Sequence, residues 1–278
     1  MKPWKFCIST ADEAPKTAPI MLCGDVCDNL KQAAALGFDA IEVHTRETAR
    51  LDYDRIHRTI QECGAKIGMI VSGRLNTEGL VDLMDDRPYV TDAAVRGMLR
   101  YVDMAKEVQA GVILGWVRGN IPKGATRRKY LDRFAFHLET IADYAKRQNV
   151  TINVEVINRY EMNNWNTAAE ALEFLDHYGL ENVYVHLDTY HMNIEEASTY
   201  DAICACGSRL GYLHVADNTR YYPGSGQIDF ARVFAALDKI GYDGYLSMEC
   251  LHRENPTAEA AKGLAYLTSI GNTEGGCR

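Results

Sequence analysis

No run of 18 apolar residues occurs anywhere in the 278-residue chain, so no membrane span is expected. Basic residues are outnumbered, 30 Lys and Arg against 38 Asp and Glu, for a formal net charge of −8. A nucleic-acid-binding face needs clustered positive charge to displace counterions from phosphates, and that class of partner is set aside. Prolines are few, seven in all, and scattered near apparent turns. No Pro/Ser/Gly tract, long charge run or low-complexity segment marks a linker, so residues 1–278 are expected to form one domain. The opening Met1-Lys-Pro-Trp-Lys-Phe6 has no apolar h-region, and no signal peptide is predicted. Paired CxxC motifs are also missing. The eight cysteines are Cys7, Cys23, Cys27, Cys63, Cys204, Cys206, Cys250 and Cys277, and a core of this size needs no disulfide framework. Reduced thiols in a cytoplasmic protein are the expectation.

What is present is an alternation. Short apolar, β-branched runs recur at Phe6–Ser9, Ala40–Val43, Lys66–Val71, Gly111–Leu114, Thr151–Val156, Val183–Asp188, Gly211–Val215 and Tyr245–Glu249. Continuous apolar runs of this length suit strands buried on both faces. Between them, apolar residues fall at helical spacing, as in Ala93, Val95, Met98, Leu99, Val102 and Ala105, with Lys106 in the last turn. Gly37, Gly64, Gly111, Gly179 and Gly241 stand where helix should give way to strand. Asn166 or Thr167 is placed to cap a helix from Ala168, with Glu170 completing a capping box. Eight β-then-α units in 278 residues give about 35 residues each, the period of an α/β (β/α)8 TIM barrel. A doubly wound open sheet fits less well, because the turn after the first strand reads Thr10-Ala-Asp-Glu-Ala-Pro15 and carries no glycine.

Strands five to eight end in polar residues: Glu155, Asp188, His214 and Glu249, at intervals of 33, 26 and 35 residues. Each interval is about one βα unit, so the four side chains should converge at the barrel mouth, where such folds keep their chemistry. Three carboxylates and an imidazole crowded together repel and desolvate one another unless a cation joins them. Oxygen ligands with one imidazole favour Mn2+, with Co2+ or Mg2+ as alternatives. An isolated strand-end carboxylate is commonly a helix N-cap, but four at successive units point to one divalent metal ion. Glu161, His191 and Arg220 follow in the adjoining loops, where substrate-binding groups belong. His44, Trp116 and Arg118 are further candidates for the mouth. His186, one inward position below Asp188, reads as a satisfied core histidine, and Gly224-Ser-Gly226 as a tight turn rather than a phosphate loop.

Val154-Glu-Val-Ile-Asn-Arg-Tyr-Glu161, Asn166-Thr-Ala-Ala-Glu170 and Leu187-Asp-Thr-Tyr-His-Met-Asn-Ile-Glu-Glu196 resemble the D-tagatose/D-allulose (ketose) 3-epimerases of the xylose-isomerase-like TIM barrel superfamily. His214 with Arg220 and Pro223-Gly-Ser-Gly-Gln-Ile228, and Gly241-Tyr-Asp-Gly244 with Met248-Glu249, continue the likeness, which is strong from about residue 130 to 252. The resemblance implies that Glu155, Asp188, His214 and Glu249 bind the metal and that Glu155 and Glu249 are the catalytic acid/base pair. Glu161, His191 and Arg220 would hold the substrate's oxygens. The chain departs from the family at Ala216-Asp217, at Cys250-Leu251 and along the first strand and its loop, regions that bear on which sugar fits.

The expected activity is inversion at C3 of a small free ketose through a metal-bound cis-enediolate, one carboxylate acting on each face of the carbon. Three other readings stay open. A related isomerase or dehydratase would act on an inosose or oxo-sugar. The chain could equally be a sugar-binding barrel, or a subunit of a hetero-oligomeric sugar lyase. Endonuclease IV shares the superfamily but needs three zinc ions and a basic face. The expected partner is a small-molecule sugar, without nucleic acid or membrane, and assembly as a homo-oligomer is left open.

Overall fold

A computed structural model describes residues 4–271. Met1, Lys2, Pro3 and Cys277, on which the readings of the opening stretch and the thiols partly rest, lie outside them. Eight strands form the centre: β1 Lys5–Ala11, β2 Ala40–His44, β3 Lys66–Val71, β4 Gly111–Leu114, β5 Ile152–Glu155, β6 Val183–Asp188, β7 Leu210–His214 and β8 Tyr245–Met248. Each pairs in parallel with the next, and β8 closes on β1 in a register from Lys5 opposite Tyr245 to Ile8 opposite Met248. The closed (β/α)8 barrel is the expected fold. A two-residue strand, Leu22–Cys23, pairs with the far end of β1.

The helices are α1 Val26–Leu36, α2 Tyr53–Cys63, α3 Gly73–Thr77, α4 Pro88–Glu107, α5 Arg127–Arg147, α6 Ala168–Tyr178, α7 Thr189–Glu195, α8 Thr199–Cys206, α9 Phe230–Lys239 and α10 Pro256–Gly271. None in the described residues is long and apolar enough to cross a membrane. Asp25, Asp52, Thr167, Ser198 and Asp229 each accept a first-turn amide with the side chain, which fixes where α1, α2, α6, α8 and α9 begin. Thr167 is the cap of α6, and Glu170 turns back to the Asn166 amide, one residue before the cap.

Two details differ from expectation. Gly111 opens β4 and ends no helix. The left-handed turn after α4 falls at Gln109 (φ 56), and a Cβ at Gly111 would meet Met69 Sδ at 2.7 Å and Thr151 Oγ1 at 2.8 Å. Strand β8 stops at Met248, so Glu249 is the first residue beyond it.

The apolar core lies mostly between strands and helices, with a smaller cluster of Met69, Val71, Ile113 and Tyr212. Register slips in β2 between Ile41 and Glu42, and in β6 between Val185 and His186. Such irregularities re-aim side chains beside functional sites.

Candidate active site

Glu155, Asp188 and His214 are the last residues of β5, β6 and β7, and Glu249 follows β8 directly. The barrel brings all four together, one nitrogen or oxygen from each lying within 4.8 Å of the others. His214 Nδ1 is 3.7 Å from Glu155, 3.9 Å from Asp188 and 3.5 Å from Glu249. Neither that nitrogen nor Asp188 Oδ2 has a hydrogen-bond partner, although both are buried. Asp188 uses its other oxygen to cap α7, accepting the Tyr190 amide at 2.8 Å.

The electrostatics carry the same tension. Burial, reinforced by Glu249 and Glu155 and opposed by Arg220 and His214, pushes the Asp188 carboxyl up to about 7. Burial also works against ionising Glu155, yet the imidazoles of His214, His186 and His191 outweigh it and hold that carboxyl well below the usual range. Unpartnered carboxylate and imidazole atoms in a buried cluster are what a divalent cation would satisfy, so the donor set fits a metal.

Glu161, His191 and Arg220 reach the same cluster, His191 from helix α7 rather than from the loop expected for it. Arg220 Nη2 donates to Glu249 at 2.8 Å and lies 3.9 Å from Asp188, while Nη1 is 3.8 Å from Glu161. His191 Nδ1 lies 2.7 Å from the Asn158 amide nitrogen, and its Nε2 lies 3.4 Å from Arg220 Nη1 and 3.7 Å from Glu155. Burial and Arg220 push His191 down to about 3, so this ring is neutral. Burial raises the Glu161 carboxyl, and Asn158 also donates to it at 3.1 Å. A cavity of about 600 Å3 opens onto Glu155, Glu161, His191, Arg220 and Glu249.

A family profile described as Xylose isomerase-like TIM barrel matches residues 30–270. The chain belongs to the xylose isomerase-like TIM barrel family. Within that family it is similar to ketose 3-epimerases, as the sequence resemblance implied. It is 32% identical to an L-ribulose 3-epimerase of Methylomonas sp. (strain DH-1) over 80% of this chain and 77% of that one. It is 30% identical to a D-psicose 3-epimerase of Enterocloster bolteae over 79% and 75% of the two chains. A solved L-ribulose 3-epimerase superposes with a TM-score of 0.85 at 28% identity, covering 98% of this chain and 95% of that one.

Not every candidate lies where this family barrel was expected to put it. His44 and Trp116 line the cavity. Arg118 does not: it is fully buried behind β5, where Nη1 donates to the Glu155 carbonyl at 2.6 Å and Nη2 to the Asn164 carbonyl at 3.1 Å. Its guanidinium lies over Trp165, 5.6 Å from the ring centroid. A desolvated arginine with carbonyl and aromatic partners braces the strand end rather than meeting substrate. His186 is buried as expected but is not satisfied. Both ring nitrogens lack partners, and burial pushes it down to about 3. The Gly224-Ser-Gly226 turn does cradle an anion, but the anion is the chain's own. Asp217 accepts the amides of Asn218, Gly224, Gly226 and Ile228 at 2.8–3.0 Å. Of the Cys250-Leu251 departure, Leu251 lines the cavity while Cys250 is buried beneath it.

Glu42 was missed. It is fully buried on β2 and bonded to His214, where burial would raise its carboxyl but the His214 and His44 imidazoles hold it well below the usual range. The only sequence signal was a carboxylate inside an otherwise apolar run, Ala40-Ile-Glu-Val-His44.

Proposed function

We propose that this barrel is a divalent-metal-dependent epimerase that inverts C3 of a small free ketose. The observation that carries the reading is the convergence of Glu155 and Glu249 on His214 Nδ1, at 3.7 and 3.5 Å, from strands three steps apart round the barrel. Glu155, Asp188, His214 and Glu249 would hold the cation, with Mn2+ the best match to a mostly oxygen donor set. When bound, the ion would supply Lewis-acid polarisation of the ketose carbonyl and its neighbouring hydroxyl.

The remaining steps belong to the chain's own residues. One glutamate takes the C3 proton from one face, leaving a cis-enediolate, and the other returns a proton from the opposite face. Glu155 is ionised and suited to the first role for one direction of reaction; Glu249 serves the other, and the roles exchange when the reaction reverses. Arg220 and His191, in contact at 3.4 Å, are available to the developing oxyanion. Glu161 is placed to accept a sugar hydroxyl. The names of the similar epimerases support attack at C3, and the seven free thiols among the described residues fit work in the cytoplasm.

The test is isotopic. Fructose, tagatose and ribulose, each incubated with the Mn2+-loaded protein in deuterated water, should yield the C3 epimer carrying deuterium at C3. Label at C1 or C2 would indicate an aldose–ketose isomerase, and loss of water with formation of a diketone a dehydratase. Reaction of an inosose or oxo-sugar without C3 exchange in any ketose would replace the proposal.

A further inference from the structure

Directly behind the cluster lies a fourth carboxylate, Glu42. Its Oε2 accepts from His214 Nε2 at 3.0 Å, Ser247 Oγ at 2.8 Å and the Tyr212 hydroxyl at 3.1 Å, and its Oε1 is 3.2 Å from His44 Nε2. Donors from β7, β8 and its own strand therefore saturate it, which is how an anion persists in a barrel interior without a cation of its own.

The consequence falls on His214. With Nε2 donating to Glu42, a neutral imidazole has no proton on Nδ1, and that nitrogen's lone pair faces Glu155, Asp188 and Glu249 at 3.5–3.9 Å. The other neutral tautomer would set the Nε2 lone pair against the Glu42 carboxylate at 3.0 Å, while its Nδ1 proton would find no carboxylate oxygen closer than 3.5 Å. Of the two neutral tautomers, Glu42 selects the one with its proton on Nε2.

We propose that Glu42 is a positioning residue for the cation site: it locks the His214 ring with its proton on Nε2 and its Nδ1 lone pair toward the ion. This rests on the reading of Glu155, Asp188, His214 and Glu249 as that site. Glu42 is outside the four-residue cluster and does not line the cavity. Its contribution is orientation and added basicity of a ligand, and losing such a partner typically weakens metal binding about 10–100-fold.

Two measurements test it. Histidine-ring nitrogen NMR of the full chain loaded with Zn2+, used as a diamagnetic probe, should show His214 protonated on Nε2 and bare on Nδ1. Glu42→Gln should lose about 10–100-fold in Mn2+ affinity by chelator competition while keeping a wild-type circular dichroism spectrum. Thr10→Val serves as control, because it removes only the 2.8 Å bond from the Thr10 hydroxyl to the Glu42 backbone carbonyl and should leave Mn2+ affinity close to wild type. A proton on Nδ1 of loaded His214 overturns the proposal. So does wild-type affinity in folded Glu42→Gln, or an equal loss in Thr10→Val. If Glu42→Gln does not fold, the NMR result on the unmutated chain decides. A wild-type chain that binds no divalent ion would remove the metal-site reading itself, and a titration of that chain distinguishes the two failures.

Discussion

Asp188 divides its two oxygens, one capping α7 and one facing the cluster, so the ordinary N-cap reading holds and still leaves an oxygen for the proposed metal. Asp188→Asn can keep the cap, since an amide oxygen still accepts the Tyr190 amide. Its loss of activity should therefore track loss of bound metal and be partly restored by excess Mn2+. Glu155→Gln and Glu249→Gln should behave differently. Each should lower turnover by at least about 10²–10⁴-fold even at saturating metal, because a positioned proton-transfer group is removed. Near wild-type turnover in either glutamine variant, measured with metal content confirmed, would refute the paired-carboxylate mechanism. The four cluster residues were legible because a charged group ending an apolar strand has no packing use. Glu42 and Arg118 were not. Glu42 sits inside a strand, and its partners come from β7 and β8, some 170 to 205 positions along the chain, a proximity that only barrel closure creates. Arg118 follows β4 as a mouth residue would, and only the position of Trp165 and the Asn164 carbonyl turns it inward.

Among the elements, β3, β4 and β6 run over the very residues their apolar runs predicted, and the other strands differ by a residue or two at their ends. The short helices α3 and α7, five and seven residues long, left no readable periodicity. The loop after β7 was read as a tight turn, but its organiser was not visible, because four amides spread over 218–228 converge on one buried carboxylate. Asp217 thereby sets the path of Arg220, whose backbone sits at φ 60 and donates its amide to the Asp217 carbonyl at 2.8 Å. Asp217→Asn exchanges an acceptor oxygen for an NH2 group and should cost about 1–3 kcal/mol for each amide left without a partner. The melting temperature should fall and KM should rise by a larger factor than kcat drops, as Arg220 loses its fixed approach. A variant with unchanged melting temperature and KM would show that the loop holds Arg220 by other means.

At the scale of the whole molecule, the buried cluster makes stability depend on pH and on metal together. With its carboxyl raised to about 7, against about 4 in an unfolded chain, Asp188 favours the metal-free fold at low pH, and that contribution is lost as pH rises through 7. His214 acts in the same sense: burial disfavours its proton, but Glu42 and Glu249 outweigh burial and raise it well above the ordinary value. Both protons compete with a cation, so Mn2+ affinity should climb between pH 6 and pH 8. At a fixed Mn2+ concentration, a hundredfold above the Kd at pH 8, the ion should raise the melting temperature by roughly 5–10 °C at pH 8 and by less at pH 6. Scanning fluorimetry with and without Mn2+ at the two pH values checks this, and a larger gain at pH 6 would contradict it. The eightfold alternation was legible because each strand is short, apolar and followed by a helix of ordinary length. Closure also assigns the two halves of the circle different tasks. The four residues of the proposed metal site hang from β5 to β8, whereas Pro15, Ile20, Arg74 and Trp116, among the other walls of the cavity, come from loops after β1, β3 and β4. The walls on that first semicircle carry none of the four cluster residues, so their side chains can be exchanged to change what the vessel admits without touching the cluster.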